Sequence, residues 1–235
     1  MNYFITGRIT PERAAVHISE IELPFLEGFG TFRFKADASQ ISLTMENCPL
    51  DRSTAFLTAK DLALTFATCL GFALGRGYGI ELIQLFDGSA ATVHGVGHSA
   101  FENAEKPATD AMFNDLLVLS LRDVSLRFAV QDFARALISE LECPFLCYRA
   151  IETVKAGSVP AGASEPDWDF MHATLGSSRE AIVARVKPFA DPIRHGKFAS
   201  LRPTSGQDRT EILQITRDVI LRYKAYLASQ ANNGA

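Results

Sequence analysis

Arg194 and His195 stand side by side just ahead of Gly196, and they are the most chemically loaded pair in the sequence. Asp191 lies three residues before Arg194 and four before His195, so a helical backbone would turn all three the same way. Earlier in the chain, Arg149 and Glu152 are three apart and share one face of a predicted helix. An Arg beside a His can cleave RNA without a metal. The His takes the proton of a 2′-hydroxyl or returns one to the leaving oxygen. The Arg neutralises charge that grows on the phosphoryl oxygens. A structural reading stands beside this one. Arg194 pairs with Glu152 across two helices, and His195 bonds carbonyls at a helix end next to Gly196. Asp191 is then a cap, with Pro192 at the first position of a short turn.

These residues must be positioned by helices. Beyond the polar stretch 102–109, which contains Pro107, no strand pattern occurs. Phe113, Leu117, Leu121, Val124 and Phe128 recur at spacings of three and four, as on a helix face. Leu126, Val130, Phe133, Leu137 and Leu141 form a second stripe. Two stripes suit either a central helix with neighbours on both sides or a break near Arg122-Asp123. Pro144 sits at the start of the next predicted helix, 145–155. Residues 157–166 form a small-residue loop, and 168–175 a short amphipathic segment. Ser177 or Ser178 caps a helix containing Glu180. The final helix is 208–228, with Ile212, Ile215, Val219, Ile220 and Tyr223 on one face.

The first half reads differently. Residues 3–9 look like a strand, and 14–19 its return. Residues 29–35 and 40–45 alternate apolar and other side chains, as half-buried strands do. Residues 54–74 are apolar nearly all round, which predicts a helix sandwiched between layers. Gly75 and Gly77 stop it. The run Gly75-Arg-Gly-Tyr-Gly79 follows a helix and precedes a strand, the wrong order for a dinucleotide loop. Two strands follow, at 78–86 and 91–96. Four strands, a helix and two strands predict an antiparallel sheet with a helix packed on it.

Bulk properties narrow the function. The net charge of −4 disfavours a generally basic nucleic-acid binder, yet residues 177–235 carry 10 Lys/Arg against 5 Asp/Glu. That basic last quarter can attract RNA or a nucleotide, or it is a solvated helix face. The start of the chain lacks a signal-peptide pattern. The uncharged run 62–74 is short for a bilayer, so a cytoplasmic protein with no membrane partner is expected. The four Cys are then reduced thiols. Cys143 and Cys147 with His172 fall short of a zinc ligand set, so no metal or cofactor is expected. His17, His94 and His98 have no convincing partners in the sequence pattern, and Gly97-His-Ser99 has the wrong glycine spacing for a nucleophile elbow.

The run Tyr148-Arg149-Ala150-Ile151-Glu152, then Trp168, Arg194-His195-Gly196 and a closing apolar helix resemble the helical domain of uncharacterised bacterial two-domain proteins. Residues 7–14 and 75–81 resemble the N-terminal part of the same group. Residues 109–228 in turn resemble the HEPN superfamily. HEPN proteins are small helical bundles that often dimerise and include metal-free endoribonucleases, some of them toxins or antiviral effectors. HEPN nucleases separate their Arg from their His by several residues, whereas here the two are adjacent and Arg185 lies ten before His195. The expected architecture is α+β. An antiparallel sheet with a packed helix spans 1–104, and an all-α, HEPN-like bundle spans 105–235. The expected function is a non-catalytic binding or sensing module acting as a homodimer, with Arg194, His195 and Glu152 structural or ligand-binding. The alternative is a metal-free endoribonuclease in which His195 is the acid/base and Arg194 the phosphate clamp, backed by Arg149, Glu152 and Asp191.

Overall fold

A computed structural model describes residues 1–24, 30–93, 101, 106–139, 142–159, 166–200 and 204–233. The chain divides into two compact units, Met1–Gly95 and Val96–Ala235. The expected boundary at 104/105 lies outside the described residues. So do Phe29, His94, His98, the Gly97-His-Ser99 run, Leu141, the end of the 91–96 strand and the centre of the 157–166 loop.

The first unit is a six-stranded antiparallel sheet with one helix on it. Its strands are β1 (Tyr3–Thr10), β2 (Ile18–Pro24), β3 (Thr31–Asp37), β4 (Gln40–Glu46), β5 (Gly79–Phe86) and β6 (Ala91–Val93). They run in the order β2-β3-β4-β1-β5-β6. Alternation sets the register. Phe34 faces Leu43, Leu43 faces Ile5, and Ile5 faces Leu85, so one apolar row crosses four strands. The opposite face carries Arg33 between Glu22 and Glu46, and Arg8 between Glu12 and Glu81. The return strand starts at Ile18, later than the predicted 14. A 3₁₀ turn at Glu12–Ala14 and left-handed Ala15 occupy the intervening chain. Gly7 sits where β1 shifts register against β5, and a side chain there would strike the Glu81 carbonyl and Leu82.

Helix α1 (Arg52–Leu74) is capped by Asp51, whose carboxylate accepts from the Ser53 and Thr54 N–H groups at 3.0 and 3.1 Å. Gly75 ends it in the left-handed region, as the glycine pattern predicts. Ala55, Ala59, Ala63, Ala67 and Gly71 make a small-residue edge, which lets the helix axis approach the sheet closely. Phe66 stacks on Phe34 at 4.8 Å. Within the first unit only the sheet side of the helix is covered, so the expected sandwich is not formed there. Leu64, Phe72 and Leu74 on the other side of the helix are exposed, because a helix on one sheet face needs only one apolar edge. The helix has 23 residues, more than the uncharged run alone suggested. By length and composition it would suffice to cross a membrane.

The second unit contains α2 (Lys106–Arg122), α3 (Val124–Ile138), α4 (Cys143–Gly157), α5 (Trp168–Leu175), α6 (Arg179–Ala181), α7 (Lys187–Arg194) and α8 (Gly206–Asn233). The break predicted near Arg122-Asp123 is present. Asp123 caps α3 by accepting from the Leu126 N–H at 2.6 Å, and it also receives the Tyr223 hydroxyl of α8. Helix α4 is the most enclosed element, with Cys143, Leu146, Cys147, Tyr148, Ala150, Ile151 and Val154 buried. It packs on α3, α7 and α8. Its last residue must be Gly157, because a side chain there would strike Ser125 and the Tyr223 hydroxyl.

Two outcomes follow for the sheet unit. Ala63→Leu wedges the α1 edge off the sheet, at a cost of about 1–3 kcal/mol read as a lower melting temperature by circular dichroism. The second concerns pH. Ser89 and then Arg52 hold the Asp87 carboxyl well below the usual carboxylate range. Its folded value lies under its unfolded one, so this stabilisation is complete above about pH 4 and is lost as the pH falls further. Asp87→Asn therefore flattens the acid side of the melting-temperature profile. An unchanged profile would contradict the assignment.

Candidate functional site

The segment 179–194 is a nearly continuous helix with a defect. Pro188 has no N–H to give the carbonyl one turn earlier. The backbone answers with a π turn at Ile182–Val186, in which the Lys187 N–H reaches the Ile182 carbonyl. Asp191 is thus inside α7, not the cap of a turn that begins at Pro192. The helix ends at His195. The Gly196 N–H reaches the Ile193 carbonyl at 3.2 Å, the Lys197 N–H reaches the Pro192 carbonyl at 2.8 Å, and Gly196 has φ +65°. This is a Schellman motif, with His195 as its last half-helical residue and glycine where a left-handed backbone is needed. Arg194 lies in the final turn, where a cation meets the negative end of the helix. Helix termination therefore accounts for the Arg-His-Gly string on its own.

The two side chains part from there. Arg194 turns toward α4. Its Nη2 lies 3.1 Å from Glu152 Oε1, and its guanidinium stands over the Tyr148 ring at 5.6 Å. The Arg194 and Glu152 side chains are 39% and 28% exposed, so the pair is partly wet. Burial, and then the nearby Glu152, push the Tyr148 hydroxyl upward. Tyr148 also meets Trp168, which stacks on His172 and carries Lys155 over its face at 4.8 Å. His195 instead borders an open groove of about 450 Å³ together with Pro188, Asp191, Pro192, Lys197 and Ser200. Among the described residues, its ring makes no hydrogen bond. Asp191 Oδ1 is buried with no hydrogen-bond partner among the described residues. Arg194 is not part of that groove.

Arg149 departs further from the expected cluster. It shares a helix face with Glu152, but it clamps Asp132 of α3 with Nε at 2.7 Å and with Nη2. That bidentate bond raises the Arg149 pKa further. Arg135 approaches the same carboxylate at 3.8 Å. Arg149 therefore does not support Arg194. Asp132 was invisible to the sequence reading, because it lies 17 residues before Arg149 with no local motif linking them.

Among the described residues, half of the cations of the basic last quarter are paired with carboxylates, Arg194 among them. Arg179 bonds Asp169, Arg185 approaches Glu211, Arg222 bonds Asp218, and Lys224 bonds Asp115. Arg217 stands over Phe101. Cys143 and Cys147 are buried, and burial pushes the Cys147 thiol well up. The His172 ring bonds Ser177 at 2.8 Å. Arg149→Ala leaves the buried Asp132 carboxylate with only the more distant Arg135, and is expected to lower stability by about 2 kcal/mol. The double change to Leu at both positions recovers most of this in a denaturant titration.

Two family models match the chain. One is the C-terminal domain of a domain of unknown function, DUF8168, over residues 111–228, and the other its N-terminal domain, over residues 3–92. Neither carries the HEPN description. No curated protein and no solved structure matches. With both of its domains matched in order, and the C-terminal model alone covering half of its length, the chain belongs to the two-domain DUF8168 family.

Proposed function

We propose that the helical unit is a HEPN-like, non-catalytic binding and sensing module that works as a homo-oligomer. One observation carries this reading. Arg194 is held by Glu152 and Tyr148, while His195 borders a groove of which Arg194 is not part. A metal-free nuclease needs both groups on one phosphate, with the His within hydrogen-bond reach of the proton it moves. Internal pairing of the C-terminal cations adds support, because a phosphate would have to compete with carboxylates already in place. The Schellman geometry supplies a structural reason for His195 and Gly196 that needs no substrate.

The test is cleavage of mixed RNA by the full chain in a chelator, comparing wild type with His195→Ala. No cleavage dependent on His195 is expected. Cleavage by wild type that His195→Ala abolishes would overturn the reading in favour of the endoribonuclease. Melting of the same proteins adds a second readout. Arg194→Ala is expected to lose about 1 kcal/mol, and His195→Ala less than about 0.5 kcal/mol.

A further inference from the structure

A second groove, of about 440 Å³, lies between α3 and α4 and shares no residue with the α7 groove. Phe128, Gln131, Asp132 and Arg135 stand at i, i+3, i+4 and i+7 on α3, which puts them on one helix face. Arg149 and Thr153, one turn apart on α4, line the other side. The charges in this groove do not cancel. Arg149 fills both oxygens of the buried Asp132 carboxylate through Nε and Nη2. Arg135 Nη1 stops 3.8 Å from that carboxylate, beyond hydrogen-bond distance, and the Arg135 side chain is 58% exposed. Among the described residues its guanidinium makes no hydrogen bond. Two cations and one anion leave a single positive charge. Just outside the groove, Arg127 over the Phe128 ring and Glu142, whose charge Arg149 feels, offset each other.

The rest of the lining narrows the ligand. The Phe128 ring is half-exposed and offers a flat apolar wall. The Thr153 hydroxyl is spent on the Arg149 carbonyl at 2.9 Å, which leaves the Gln131 amide as the remaining polar group. An open guanidinium fork matches the edge of a carboxylate with two parallel hydrogen bonds. A phosphomonoester would bring close to two negative charges against one and has no flat face for the ring. The volume suits a small molecule. We propose that this α3–α4 groove binds a small aromatic monocarboxylate, with its carboxylate on Arg135 and its ring against Phe128. The site extends the binding-module reading above, but different residues carry it.

Titration of the isotope-labelled full chain with benzoate at fixed ionic strength tests it, followed by NMR through the arginine Nε–H signals. Saturable shifts with an apparent Kd on the order of 1 mM are expected. Arg135→Gln is expected to weaken binding at least tenfold. It leaves the Arg149–Asp132 clamp in place, so circular dichroism should show a folded protein. Phe128→Ala is expected to weaken benzoate about threefold, and it decides alone if Arg135→Gln does not fold. Absence of saturable shifts, binding unchanged by either substitution, or inorganic phosphate binding more tightly than benzoate would overturn the assignment. None of these outcomes bears on His195, and His195-dependent RNA cleavage would leave this groove standing.

Discussion

Enclosure of α4 is the constraint on which the helical unit turns. A helix buried on most of its circumference cannot leave its ionic side chains unpaired, because an uncompensated charge at a packed surface costs several kcal/mol. Arg149 and Glu152 are the two charged residues in its central turns, and each is answered by a neighbouring helix. Asp132 of α3 takes Arg149, and Arg194 of α7 takes Glu152. The two pairs leave α4 in different directions and tie it to the helices it packs on. Tyr148 and Trp168 extend the second pair into a ladder of rings and cations.

That constraint reshapes the meaning of the Arg-His pair. Arg194 is where α7 must offer a cation to α4. His195 and Gly196 follow because α7 must end, and it ends in a left-handed turn. Adjacent in sequence, the two side chains serve different needs. The proline at 188 and the π turn before it set the rotation of α7, and hence which of its side chains reaches α4. Catalysis by this pair would require Arg194 to abandon Glu152.

Much of the fold was legible because burial imposes a period. Alternation located β3 and β4, and the apolar run with its closing glycine located α1. Ridges spaced by three and four located α2 and α3, one apolar face located α8, and proline and cap signals marked the starts of the helices between. The break at Asp123 was visible as one of two alternatives, since an Asp between two stripes can act as a cap. Pairings distant in sequence were not legible. Nothing local joins Asp132 to Arg149, and nothing in the 179–194 stretch marks a π turn apart from the proline that causes it. Composition suggested a basic surface in the last quarter, but charge counts cannot show that Asp169, Asp218, Glu211 and Asp115 already hold those cations. Arg194–Glu152 was foreseen as the structural alternative, because opposite charges flanked by apolar helix faces have few other places to go.

The account stands on Arg194 being a partner of Glu152 in the folded protein. A double-mutant cycle with Arg194→Ala and Glu152→Ala, followed by denaturant unfolding of the full chain, measures this directly. The account predicts a favourable coupling of about 0.5–1 kcal/mol, the range for a partly exposed ion pair. Strictly additive effects, with no coupling between the two positions, would contradict it and leave Arg194 free to act on a substrate.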